Sequence, residues 1–224
     1  NALIALAERD PSADVRRYLS AGLQRLPLPQ RWSLAEALAA RPEDIKDNNL
    51  PLMVWYGIEP LVEEDPNRAI RIASHTASPL VGDFVRRRAA AFEEGRNSLL
   101  AYVAKTNSAD DFAKRGAQYL AAIGTQTNLE RPKSWEVFLE KGESLNGPKT
   151  KAMLARIRAR LGDSEAFPYW RTVVADLERL PRLRSEALEL LQLGGDSEVG
   201  PLAASLLTDS SLRQAALSAL PRYL

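Results

Sequence analysis

Apolar residues recur along the chain at spacings of three and four, in short blocks bounded by proline, glycine and capping residues. Val15, Leu19, Leu23 and Leu26 share one face of a helix predicted over residues 13–26, with Ser12 placed to cap it. Pro27 and Pro29 end that block, a second runs over 30–40, and Pro42 closes it. Residues 43–49 are polar and read as a loop. The block 52–62 is almost wholly apolar, which predicts a helix buried on most sides. Asp65-Pro66 and Ser78-Pro79 each place a capping residue before proline, starting helices over 67–77 and 80–92. Further helices are predicted over 97–105, 109–123, 135–142, 149–161, 165–180, 182–193, 199–207 and 211–220, with a polar loop over 125–133 and no strand.

Four of these blocks share a local pattern. An apolar residue precedes arginine, and a small or apolar residue follows three positions later: Val15-Arg16 with Leu19, Val85-Arg86 with Ala89, Leu183-Arg184 with Ala187, and Leu212-Arg213 with Ala216. Asp10 and Asp209 precede two of them. This spacing puts the apolar residues on one helix face with the arginine beside it. It is similar to the HEAT pattern, in which stacked helical pairs bury their inner faces on their neighbours. The expected fold is all-α, an armadillo-type α-α superhelix (HEAT-like solenoid) spanning residues 1–224 as one domain.

Composition agrees with the pattern. Alanine and leucine far outnumber valine and isoleucine, which favours helix over strand. The 224 residues contain no cysteine and a single histidine, which excludes a disulfide framework, a thiolate or multi-histidine metal centre, a cysteine nucleophile and covalent haem attachment within the segment. A net charge of +1 gives no global attraction to nucleic acid or to an acidic membrane, and no apolar run approaches the roughly 20 residues of a membrane span. No Walker A motif, Gly-x-Ser-x-Gly elbow or Rossmann fingerprint is present. The chain opens Asn1-Ala2 without a methionine, as expected of a segment cut from a longer parent with those two residues added.

Asp10-Pro11-Ser12, Val15-Arg16, Leu26-Pro27, Arg31-Trp32, the run from Asn48 to Leu61 containing Leu50-Pro51-Leu52-Met53-Val54-Trp55-Tyr56-Gly57-Ile58-Glu59-Pro60-Leu61, and Pro79-Leu80 through Arg86-Arg87 give a more specific likeness. This stretch resembles the HEAT-like helical segment of large bacterial proteins, the PVC-type haem-binding, membrane-bound dehydrogenase family. Such proteins combine a sorbosone-dehydrogenase-like β-propeller, a helical region and a C-terminal cytochrome c domain. The resemblance implies a non-catalytic part that links or docks domains of an exported, periplasmic redox protein. It implies no cofactor on this segment, because the haem-binding Cys-x-x-Cys-His and the propeller site are absent from these residues. Its partners would be other domains of the parent or a separate protein. The alternative is a nucleic-acid-binding, HEAT-like enzyme of the alkylpurine DNA glycosylase kind, which would need a basic concave face with aromatics and a carboxylate.

Trp55, Tyr56 and Glu59 form the sharpest candidate cluster for binding a partner. Trp55 and Glu59 share a helix face with Tyr56 beside it. The competing expectation is that both aromatics fill the core between repeats and that Glu59 pairs with an arginine such as Arg86. Trp170, within Phe167-Pro168-Tyr169-Trp170-Arg171, is a second aromatic candidate, with core packing as its alternative. His75 is placed near a helix C-terminus. The runs Arg86-Arg87-Arg88 and Arg156, Arg158, Arg160 could bind phosphate only by converging on a concave face, and otherwise form inter-helix salt bridges. Glu63-Glu64-Asp65 and Asp110-Asp111 lie at helix N-termini, where negative charge is favourable in any case.

Overall fold

The computed structural model describes residues 2–222; Asn1, expected above as an added residue, lies outside them. The fold is all-α, with no strand among the described residues. Contacts divide the chain into two compact units. The first comprises residues up to Thr106 with Ala117–Ile123 and Pro132–Phe138, and the second comprises Asn107–Gly116, Gly124–Arg131 and the chain from Leu139 onward.

The first unit contains α1 (Ala2–Arg9), α2 (Ala13–Leu23), α3 (Leu28–Ala39), α4 (Leu50–Ile58), the single turn α5 (Leu61–Glu64), α6 (Pro66–His75), α7 (Pro79–Ala90) and α8 (Glu93–Ala104). Helices α1, α3, α6 and α8 pack on one another in succession, and α2, α4 and α7 do the same. The unit is therefore two layers of helices. Cross-layer pairs seal it: α1 with α2, α3 with α4, and α6 with α7. Helices α9 (Ala109–Ile123) and α10 (Trp135–Ser144) each divide between the units. The second unit adds α11 (Pro148–Arg160), α12 (Phe167–Ala175), α13 (Pro181–Gly194), α14 (Val199–Ser205) and α15 (Arg213–Ala219). There α11, α13 and α15 pack in succession, and α12 and α14 each lie against α13.

Prolines start helices, as the pattern predicts. α3, α4, α6, α7, α11, α12 and α13 each carry one in their first two positions, where the missing N–H is no loss. The same rule corrects two boundaries. Pro29 lies inside the first turn of α3, and Pro51 lies inside the first turn of α4, so both helices begin two residues earlier than predicted. The block predicted over 52–62 breaks at Glu59-Pro60 into α4 and α5. The helix predicted over 165–180 ends at Ala175 because Asp176 turns the chain with its own carboxylate, accepting from Glu178 N at 3.1 Å. Helix α1 was not predicted.

The repeated arginines share one structural role. Arg16 donates to Asp10 O at 2.9 Å, Arg86 to Ala73 O at 2.9 Å, Arg184 to Val174 O at 2.8 Å and Arg213 to Leu207 O at 2.8 Å. Each target lies at the C-terminal end of the helical segment before the arginine's own helix. The last carbonyls of a helix lack intrahelical partners and carry partial negative charge, so a guanidinium is the natural group to close them.

A second repeat lies in the turns of the second unit. Gly162-Asp163-Ser164-Glu165 recurs 33 residues later as Gly195-Asp196-Ser197-Glu198, with Pro168 matched by Pro201 and Asp176 by Asp209. Gly162 and Gly195 adopt φ of 70° and 81°, and the following aspartates donate N–H bonds of 3.0 Å to Arg158 O and Leu191 O, which is a Schellman closure in both cases. Asp163 Oδ1 then accepts from Glu165 N at 3.3 Å, and Asp196 Oδ1 from Glu198 N at 3.2 Å. The two turns are copies of one device that ends one helix and starts the next.

Candidate interaction surface

Helix α4 turns Leu50, Pro51, Val54, Gly57 and Ile58 inward. Its other face leaves Trp55 and Glu59 half-buried and Tyr56 exposed. Helix α7 lies alongside and contributes Phe84 and Arg88. The Trp55 and Phe84 ring centroids are 5.5 Å apart, and Arg88 Nε donates to Glu59 Oε1 at 2.6 Å. Both pairs are separated by 29 residues, so α4 and α7 run parallel and in register. Arg88 also donates to Glu63 at 2.6 Å and lies 5.9 Å from the Phe92 ring. Its hydrogen bonds to Glu59 and then Glu63 hold its pKa above the ordinary arginine value.

The predicted partner of Glu59 is thereby corrected. Glu59 pairs with Arg88, and Arg86 faces the other way. Arg86 donates to Asp83 at 3.1 Å and closes the end of α6 through Ala73 O. Burial pushes its pKa below the ordinary value. The reason is helical geometry: residues two apart do not face each other, and only Arg88 falls on the α4 side.

Trp170 belongs to the second unit and is 6% exposed. Its indole N–H donates to Ala155 O at 3.1 Å, and it packs with Phe167 in a core that includes Val174, Leu188 and Leu191. Core packing, one of the two expectations, is what the structure shows for Trp170. Tyr169 beside it is exposed and meets the Trp170 ring edge-on at 5.0 Å.

Arg87 is exposed, and the other arginines of the two runs make structural contacts. Arg156 donates to Glu186 at 2.7 Å, Arg158 to Asp163 at 2.5 Å and Glu165 at 2.8 Å, and the buried Arg160 donates to Leu193 O, Gly124 O and Gln126 O. His75 is exposed at the end of α6. Its Nδ1 lies 2.8 Å from Arg71 O, so that nitrogen carries the proton, because a carbonyl only accepts. A groove of about 260 Å³ between α3 and α6 passes this ring. Among the described residues, no group of three or more His, Asp or Glu side chains is arranged to hold a metal ion, and no helix is long and apolar enough to cross a membrane.

No protein-family model matches the chain, and no curated protein or solved structure is significantly similar to it.

Proposed function

We propose that this chain is a non-catalytic helical-repeat scaffold whose α4–α7 face docks a neighbouring domain or a protein partner, within an exported redox protein of the dehydrogenase and cytochrome kind. The observation that carries the reading is the parallel stripe of Trp55, Tyr56, Glu59, Phe84 and Arg88. It sets exposed tyrosine and half-exposed tryptophan, phenylalanine and arginine on rigid helices, the residue types that dominate protein–protein binding energy. The two-layer stacking of the first unit supports a repeat scaffold, since such stacks present long, pre-ordered surfaces. The pairing of Arg88, Arg156 and Arg158 with carboxylates leaves these cations little charge to offer phosphate. The domain context rests on the resemblance of residues 10–91 to the dehydrogenase family.

The test is titration of the chain with separately purified propeller and cytochrome domains of the parent, followed calorimetrically. Tyr56→Ala and Arg88→Glu should each weaken binding by roughly tenfold or more while leaving the fold intact. Binding unaffected by either change, or salt-dependent affinity for duplex DNA at physiological ionic strength, would overturn the reading.

A further inference from the structure

Asn146 lies in the turn at 145–147 that joins α10 to α11. Its backbone is left-handed, with φ of 38°, a conformation that asparagine tolerates better than most residues other than glycine. The residue is exposed, and its side-chain amide makes no hydrogen bond among the described residues. Gly147 follows it as the N-cap of α11, with a backbone N–H that also lacks a partner among the described residues. An exposed amide is thus set beside a backbone nitrogen that neither a side chain nor a hydrogen bond shields.

The other described asparagines are protected in different ways. Asn48 and Asn49 precede the N–H groups of Asn49 and Leu50, which donate to Asp47 Oδ1 at 2.8 Å and 2.9 Å. The Arg68 N–H after Asn67 donates to Asp65 Oδ1 at 2.9 Å. Asn97 is held at both side-chain atoms, accepting from Ser134 N at 2.8 Å and donating to Glu94 at 3.3 Å. Asn107 Oδ1 accepts from Lys141 Nζ at 3.1 Å. Asn128 is left-handed as well, with φ of 55°, but Leu129 follows it and crowds the next amide with a branched side chain.

We infer that Asn146-Gly147 is a modification site, at which the chain deamidates spontaneously to aspartate and isoaspartate. The Gly147 nitrogen loses its proton and attacks the Asn146 side-chain carbonyl carbon. A new C–N bond closes a succinimide ring, the bond to Nδ2 breaks, and that nitrogen leaves as ammonia with the proton. Water then adds to either ring carbonyl and opens the ring. Opening on one side gives aspartate, and opening on the other gives isoaspartate, with the main chain running through the former side chain. Water is consumed, ammonia is released, and nothing is oxidised or reduced.

The position decides what the modification does. The new carboxylate adjoins the N-terminus of α11, whose cap Gly147 brings no side chain and where negative charge is favourable. It also cancels the formal net charge of +1. Isoaspartate lengthens the backbone of a tight turn and so loosens the joint between α10 and α11. The site is separate from the α4–α7 stripe and does not depend on the scaffold reading.

The purified full chain, aged in neutral and in mildly alkaline buffer, provides the test. Peptide mapping by mass spectrometry should find aspartate and isoaspartate at 146 ahead of every other asparagine. Conversion should be faster at the higher pH, because the deprotonated nitrogen is the nucleophile. A Cβ at Gly147 would meet Ala109 Cβ at 3.4 Å and Thr150 Oγ1 at 3.7 Å, which are ordinary contacts, so Gly147→Ala keeps the fold. It should slow conversion by roughly tenfold, since the added methyl crowds the nitrogen and restricts the backbone. Asn146→Gly suits the left-handed backbone and should abolish methyl transfer to the aged chain by an isoaspartyl methyltransferase. Asn146 intact while another asparagine has converted, a rate indifferent to Gly147→Ala, or methyl transfer undiminished in Asn146→Gly would each overturn the inference.

Discussion

The Glu59 carboxylate accepts a 2.6 Å hydrogen bond from Arg88 across 29 residues of sequence, in step with the contact of Trp55 on Phe84. Two pairs with one offset fix the direction and register of α4 against α7. Both charged partners are partly solvated, at 29% exposure for the Arg88 side chain and 39% for Glu59, so water screens their attraction. A double-mutant cycle with Glu59→Gln and Arg88→Gln should give a coupling of about 0.5–1 kcal/mol, shrinking in molar salt. Urea melts of the four proteins read it directly. A coupling several times larger and insensitive to salt would mean that the stripe is shielded from water.

The Arg16–Asp44 pair behaves differently. The Arg16 side chain is 2% exposed, and it grips Asp44 with Nε at 2.7 Å and Nη2 at 2.6 Å while closing the end of α1. The Asp44 hydrogen bond is the main cause of the raised Arg16 pKa, acting against burial. Asp44→Ala leaves a guanidinium buried without its counter-charge and should cost about 3–5 kcal/mol in chemical denaturation. Replacing Arg16 and Asp44 together with leucine should cost much less, because the penalty comes from the orphaned charge.

The helical class, the proline-marked starts and the arginine blocks were legible in the sequence, because each depends on local chemistry that a single segment carries. What α4 presents was half legible. Helical spacing put Trp55 and Glu59 on one face, but it could not choose among Arg86, Arg87 and Arg88 as the partner, because that choice depends on the rotation of α7 against α4. Trp170 looked like Trp55 in sequence and differs in burial because Phe167 and α13 close over it. The Gly-Asp-Ser-Glu turns recur at 33 residues, a spacing that the arginine blocks do not share. Those blocks are 29 residues apart in α13 and α15, since the stretch from Asp176 to Arg184 is four residues longer than that from Asp209 to Arg213.

Glycine positions give a prediction of opposite signs. A Cβ at Gly95 would overlap the Ala89 carbonyl of α7, and one at Gly194 would overlap the Ala159 carbonyl of α11. Backbone cannot step aside as a flexible side chain can. Gly95→Ala and Gly194→Ala should each destabilise by about 1–3 kcal/mol, even though alanine is the better helix former. Gly22→Ala meets open space and should stabilise by about 0.5–1 kcal/mol. Thermal melts of the three variants, compared with the parent, test the ordering.

Acid stability turns on the turn before α15. Asp209 accepts from the Ser211 hydroxyl at 2.6 Å and from Ser211 N at 2.9 Å, and Arg184 Nη1 lies 2.8 Å from its other oxygen. The Ser211 bonds first, and Arg184 after them, push its pKa down from 3.8 to about 2. The native state thus prefers the ionised carboxylate more strongly than the unfolded chain does. The stabilisation is fully present above the unfolded value and is lost as pH falls from about 4 to about 2. Asp209→Asn removes the titrating group. The gap in Tm between the parent chain and Asp209→Asn should be constant above about pH 5 and should close progressively across that acid window. Melts at fixed ionic strength from pH 6 to pH 2 provide the measurement. A gap that stays level down to pH 2 would mean that the Ser211 and Arg184 contacts do not favour the ionised form.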